Sequence, residues 1–287
     1  MTALQHPAPA PATQATAVPW ALENLPPFSP VATKLLQMLS DERVHVDQVS
    51  RFIAAEPVFA ARVLQIANSP LFALRRHVAS ISQAVIVVGL DRVKSIALTR
   101  ALGDYIAPVL RRKALLVCWR NTLAGALLAE TIAPAFGFES DTAYTAGLLR
   151  DIGRLALLVK YPEAYTNVLA ISRERSHDLL TTERGLFDID HCQAGQWIVE
   201  RMGMQADICA AVARHHETLA GEPLGLIHLV RAADTLADSL GYAILPALEQ
   251  PAFDAIIQEL PSQVAARLAL QPDELRTTID HRLQDWL

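Results

Sequence analysis

Six polar positions fall on otherwise apolar, helix-patterned segments in the second half of this chain: Asn121, Asp151, His191, the pair His215 and His216, and Asp234. Imidazoles and carboxylates are the donor set for a divalent cation, which activates a bound water as a nucleophile. A lone histidine on a core helix is more often a hydrogen-bonded structural residue than a ligand, so the recurrence is what calls for a common explanation. Neighbours on a helix point about 100° apart, so His215 and His216 can line two sides of one pocket. Beside Asp151, however, stands Arg150, in the run AGLLRDIGRL. A guanidinium has five donors and no lone pair to give, and it cannot ligate a metal.

These positions need helices to hold them, and the sequence supplies helices throughout. Ser29 can cap a helix carrying Pro30 in its first turn, with Val31, Leu35, Met38 and Leu39 recurring at spacings of three and four. Asp47 is the expected cap of a second helix, and a third runs from Pro57 to Asn68-Ser69-Pro70, where proline disfavours continuation. Ser80 to Gly89 and Leu90 to Ile106 supply two more, divided by a glycine suited to a positive φ. VIVVG, Val85 to Gly89, is the best strand candidate, yet Ser80 to Ala84 lead into it continuously and helix is preferred. A long helix from Lys113 to Phe136 opens a second lobe. Asp141 is the expected cap of the helix that carries Arg150 and Asp151 and ends by Pro162. Further helices are expected over Glu163–Glu174, His191–Met202, Ala206–His216, Leu224–Leu240, Ala252–Leu260 and Asp273–Leu287. The expected fold is all-α: an Ala/Pro-rich tail at 1–19, an N-terminal helical lobe at 20–107, a C-terminal helical lobe at 108–245 and a helical extension at 246–287.

Composition narrows the function classes. The 287 residues are 52% hydrophobic, enough for one large core or two smaller ones. A formal charge of −5 with no long Lys/Arg run argues against a nucleic-acid binder. The densest basic cluster, Arg111 to Lys113, reads as a solvated helix start. No apolar run approaches the roughly 20 residues of a membrane span, and the N-terminus lacks the order of a secretory signal, so a cytoplasmic protein is expected. Cys118, Cys192 and Cys209 have no CxxC spacing and read as reduced core thiols. There is no Walker loop, no GxSxG elbow and no GxGxxG after a strand.

The N-terminal segments LPPFSPVATKLLQMLSDE, AAEPVFAARVLQIANSPLF and SISQAVIVVGLDRVKSIAL resemble, in order and spacing, those of the HDOD domains, HD-related output domains of bacterial signalling proteins. The resemblance spans nearly all of Leu25 to Leu240; Glu56-Pro57 stands where the family usually has Asp-Pro. The C-terminal lobe is similar to HD and HD-GYP phosphohydrolases, whose helices supply a His, a His-Asp pair, further histidines and a final Asp. Carried over, the resemblance puts Asn121 at the first His, Arg150 and Asp151 at the His-Asp pair, His191, His215 and His216 at the later histidines and Asp234 at the last carboxylate. The Gly-Tyr-Pro segment of HD-GYP enzymes is replaced by TLAGEPLG, and the Lys that often follows the HD motif is Arg154.

The two losses are chemically uneven. An Asn121 amide oxygen still offers a weak donor, whereas Arg150 brings a fixed positive charge: at 4 Å and an effective dielectric of about 20, repulsion is about 4 kcal/mol per unit charge and doubles for a divalent ion. Arg150 is therefore expected to replace the cation, pairing with Asp151 or Asp234, in a vestigial site with no catalytic residue and no cofactor. The resemblance implies a regulator acting on a signalling-protein partner or a small-molecule or nucleotide ligand, with no nucleic-acid or membrane partner. A metal-dependent phosphohydrolase or cyclic-dinucleotide phosphodiesterase is the alternative, its reduced ligand set being Asp151, His191, His215, His216 and Asp234. A cleft between the lobes is the expected recognition site, and Asn68 and Ser69 are candidates for its lining, with a helix-terminating turn as their structural reading.

Overall fold

The computed structural model of the protein describes residues 18–40, 44–69, 77–219, 221–245, 252–268, 270–284 and 286, and among these it is all-α. The expected tail falls outside the described residues up to residue 17. Five helices form the N-terminal lobe: α1 (Pro30–Ser40), α2 (Val46–Ala54), α3 (Pro57–Ala67), α4 (Ile81–Val88) and α5 (Leu90–Ile106). The Ser29 hydroxyl accepts from the Ala32 amide at 3.1 Å, making the expected cap of α1, and the Ser80 hydroxyl caps α4 by accepting from the Gln83 amide at 3.2 Å. VIVVG continues α4, and Gly89 at φ 99° lets α5 start in a new direction. Asp47 and Asp141 do not cap; they lie within the first turns of α2 and α7, where an acid still meets the positive helix end.

The C-terminal lobe is built around α6 (Lys113–Phe136), buried along most of its length and ended by Gly137 in the left-handed conformation. Against it pack α7 (Ser140–Leu149) and α13 (Leu226–Ala237). The approach to α7 is close: a Cβ on Gly147 would lie 2.9 Å from the Ala126 Cα. The remaining helices are α8 (Ile152–Lys160), α9 (Pro162–Arg175), α10 (Leu179–Phe187), α11 (His191–Arg201) and α12 (Ala206–Arg214). A π-helical turn, Asp238–Tyr242, continues α13, followed by α14 (Phe253–Glu259), α15 (Ser262–Ala265) and α16 (Pro272–Leu283).

The lobes are less separable than the expected boundary at 107/108. One face of α5 gives Val93, Ile96, Ala97 and Ala101 to the N-terminal core, while Leu98, Leu102 and Ile106 belong to the C-terminal one. Burying each leucine is worth about 1.5–3 kcal/mol, so α5 is a shared wall. The segment expected as an extension joins the same core through Leu275, Ile279 and Leu283.

Candidate functional site

The helix expected to run through AGLLRDIG is two helices. α7 stops at Leu149, Arg150 and Asp151 form the turn, and α8 starts at Ile152. The break directs both side chains into the centre of the lobe, where Arg150 is 0% and Asp151 1% exposed. Close packing on either side fixes the turn. A Cβ on Gly153 would meet the His191 carbonyl oxygen at 2.1 Å and the Gly195 nitrogen at 2.3 Å, so α8 and α11 touch backbone to backbone.

Every N–H of the Arg150 guanidinium has an acceptor. Nε donates to Asp234 Oδ1 at 3.0 Å; one terminal nitrogen donates to the carbonyls of Thr122 (3.1 Å) and Gly147 (2.8 Å). The other donates to the Asn121 carbonyl (3.0 Å) and amide oxygen (2.8 Å), and stands 3.1 Å from Asp151 Oδ2. Gly125 makes room: a Cβ there would lie 2.5 Å from the guanidinium carbon. Arg150 thus lies between two carboxylates, and an orientation toward solvent is excluded. Burial pushes both carboxylates up, but the guanidinium groups outweigh it: Arg150 and Arg154 hold Asp151 well below the usual carboxylate range, and Arg150 lowers Asp234 as well.

A second guanidinium sits beside the first. Arg154, 2% exposed, places one terminal nitrogen 2.8 Å from Asp151 Oδ1 and donates from the other to His191 Nε2 at 2.9 Å. His191 Nδ1 lies 2.7 Å from Glu183 Oε2, which also accepts the His191 backbone N–H at 2.8 Å. This network assigns a neutral His191 with its proton on Nδ1, facing Glu183. Burial, then Arg154 and His216, hold the ring well below the usual histidine value. Tyr165 donates its hydroxyl to Glu183 Oε1, completing a buried Tyr–Glu–His–Arg chain.

His215 and His216 follow the end of α12, their ring centroids 4.2 Å apart. His215 is buried and donates from Nδ1 to the Val212 carbonyl at 3.0 Å, leaving its Nε2 without a hydrogen-bond partner among the described residues. Burial, then His216, push its pKa down, so it is neutral. His216 is one third exposed, its Nε2 3.2 Å from His191 Nε2 and its Nδ1 3.8 Å from Asp234 Oδ2. The pair therefore takes up unequal positions: His215 is buried in the protein, and His216 lines a cavity of about 490 Å³. Asn121, Arg154, His191, His216, Asp234 and Asp238 reach that cavity from below, and the turn between α9 and α10 forms part of its rim.

Asn121, Arg150, Asp151, His191, His215, His216 and Asp234 thus converge in one place. Asn68 and Ser69 do not join them. The Asn68 amide donates to the carbonyls of Leu64 (2.8 Å) and Val78 (2.9 Å) and accepts from the Val78 N–H (2.8 Å). It is a clamp between the end of α3 and the approach to α4, with its amide spent inward, and the cavity at the constellation lies within the C-terminal lobe rather than at Asn68.

A divalent cation does not fit the HD-type position. The space between Asp151 and Asp234 is taken by a guanidinium whose hydrogen-bonding capacity is complete, and Arg154 stands 2.8 Å from the other Asp151 oxygen. His191, Cys192, His215 and His216 do bring donor atoms within 4.8 Å of one another. Within that group His191 is engaged by Glu183 on one nitrogen and by the Arg154 cation on the other.

Sequence reasoning missed Glu183 and Asp238. Glu183 lies on α10, a helix absent from the expected set although Asp178 caps it by accepting from the Thr181 amide at 3.0 Å. Asp238 belongs to the π-helical turn, an irregularity that helical spacing does not reveal.

The HDOD domain family model matches residues 25–218. An HDOD domain protein of unknown function from Geobacter sulfurreducens shares the fold at 25% identity and a TM-score of 0.67, over 90% of this chain and 93% of that one. A phosphohydrolase candidate from Shewanella amazonensis SB2B superposes with a TM-score of 0.62 at 20% identity, over 91% and 92% of the two chains. An uncharacterized protein of Treponema pallidum (strain Nichols) is 20% identical over 197 residues, 68% of this chain, and the chain spans only 38% of its length.

Proposed function

This chain belongs to the HDOD domain family, and from that premise we propose that it is a non-catalytic regulatory protein of bacterial signal transduction, working in the cytoplasm by binding a protein partner or a small ligand. The observation that carries this reading is Arg150. Its side chain occupies the position from which a hydrolytic metal would act, and its charge holds Asp151 and Asp234 together. Water activation in HD-type chemistry depends on a metal that lowers the pKa of its bound water. Neither guanidinium can take that part, because neither has a lone pair for an incoming proton and both stay charged. What remains is a rigid polar floor under a cavity, an arrangement suited to recognition.

The test combines metal analysis of the purified protein with hydrolysis assays on cyclic dinucleotides and nucleotide phosphates. Neither stoichiometric iron or manganese nor turnover is expected. A loaded metal accompanied by turnover that a chelator abolishes would overturn the reading. The competing reading is a metal-dependent phosphohydrolase with a reduced site, and the close approach of His191, Cys192, His215 and His216 is the observation on its side.

A further inference from the structure

The acids of the site, Asp151 and Asp234 buried and Asp238 half-buried, are not equally compensated. Asp151 has two guanidinium partners and Asp234 has one. Among the described residues Asp238 has none, and the hydrogen bond it accepts is a long 3.3 Å contact from the Asn121 amide, which also donates to the Tyr242 carbonyl; Asp238 lines the cavity. A carboxylate held in a partly dry wall without a cation is costly unless something donates to it. A cation lines the same cavity: Arg154, a 2%-exposed side chain whose closed-off Nε–H has no acceptor among the described residues. Arg173, in the last turn of α9, and His177, on the turn between α9 and α10, add cationic and donor groups at the rim, and Leu179 and Ile244 supply apolar wall. At about 490 Å³ the space is within the ordinary range for small-molecule sites, roughly 300–1,000 Å³.

We propose that this cavity binds a small molecule that carries an anionic group together with two adjacent N–H donors on one planar group, the edge shared by guanine bases and guanidines, with Asp238 receiving that edge and Arg154 and Arg173 facing the anionic end. A carboxylate offers two oxygens in one plane, so it pairs with two parallel N–H groups, the geometry that makes Arg–carboxylate pairs bidentate. Adenine does not offer two such adjacent donors on its ring edge and fits an ionised Asp238 less well. The inference rests on the regulatory reading above and gives its ligand a chemical class.

The experiment is isothermal titration of the full chain with guanosine 5′-monophosphate and with arginine, which present the same donor edge from two sources, and with adenosine 5′-monophosphate as the anion without it. Saturable binding of at least one of the first two is expected, with adenosine monophosphate at least roughly tenfold weaker than guanosine monophosphate; which probe binds decides between nucleotide and amino-acid-like ligands. Asp238→Asn turns one acceptor oxygen into a donor and should weaken binding roughly tenfold or more, the loss expected for a hydrogen bond to a charged group. Leu180→Trp, which narrows the cavity from its rim without touching the ion pairs, should abolish binding with the unfolding temperature unchanged. No saturation by either probe at millimolar concentration overturns the proposal, as does equal binding of adenosine monophosphate or full affinity in Asp238→Asn. Such a failure in metal-free protein without turnover leaves the regulatory reading standing; metal-dependent turnover would sink that reading instead.

Discussion

Replacing Arg150 with alanine is the sharpest test of how the site is held together. The substitution removes five donors at once and leaves Asp234, 12% exposed by side chain, without a guanidinium, whereas Asp151 keeps Arg154 at 2.8 Å. Three of the lost acceptors, the carbonyls of Asn121, Thr122 and Gly147, lie on α6 and α7 and keep a lone pair for the helix ladder, so the uncompensated carboxylate dominates the cost. Breaking a buried pair from one side costs about 3–5 kcal/mol. Each kcal/mol lowers the unfolding temperature of a chain this size by about 2–4 °C, so the fall should be roughly 6–20 °C by circular dichroism or calorimetry. A double-mutant cycle isolates the cause. Asp234→Asn added to Arg150→Ala removes the stranded charge, and the pair should be less destabilised than the sum of the single variants by about 1–3 kcal/mol. A shift below about 2 °C for Arg150→Ala, or strict additivity in the cycle, would refute the account of Arg150 as the charge that joins two carboxylates.

Other expectations follow from neighbouring contacts. Gly153→Ala should prevent α8 from seating on α11, because the obstacle is backbone rather than a movable side chain; little soluble folded protein is expected, and near-native stability would contradict the packing. Asn68→Ala should cost about 1–3 kcal/mol in denaturant unfolding by stranding the Leu64 and Val78 groups while leaving ligand binding in the C-terminal cavity unchanged. Burial, and then the neighbouring Asp234, raise Asp238 to about 7 against the opposing Arg150 and Arg154, with Asp151 adding to the rise. The folded state therefore holds a proton that the unfolded chain has lost, and this contribution is present at low pH and disappears as pH rises through about 7. Asp238→Asn mimics the protonated form, so its stability advantage over the parent should be greatest at pH 8 and shrink toward pH 5; parallel pH profiles would count against the raised value.

What could be read from the sequence divides along physical lines. Apolar spacing and local caps placed α1, α3, α4, α5 and α6 nearly to the residue, because those signals act within one or two turns. Resemblance brought the seven constellation residues to one list, and their convergence depends on packing that no local pattern encodes. The break at Arg150–Asp151 escaped because AGLLRDIGRL keeps a helical apolar rhythm throughout; a buried ion network, not a proline or a cap, interrupts it. Glu183 was invisible for a related reason. In LLTTERGLF it reads as an ordinary surface acid, and only its approach to His191 and Tyr165 accounts for its burial. Asn68 has two readings in the sequence, recognition turn or helix terminator, and its amide bonds to the Leu64 and Val78 backbone fit the second.

The guanidinium at the centre of the lobe is attached to its own backbone, and this changes how the site answers its surroundings. A bound ion stabilises a fold by mass action, so its contribution rises and falls with the free concentration of that ion. A charge delivered by a side chain has a local concentration fixed by the chain itself. It cannot be stripped by a chelator, exchanged for a competing metal or diluted away. The helices that meet at Arg150 are thereby joined by a charge whose supply does not vary.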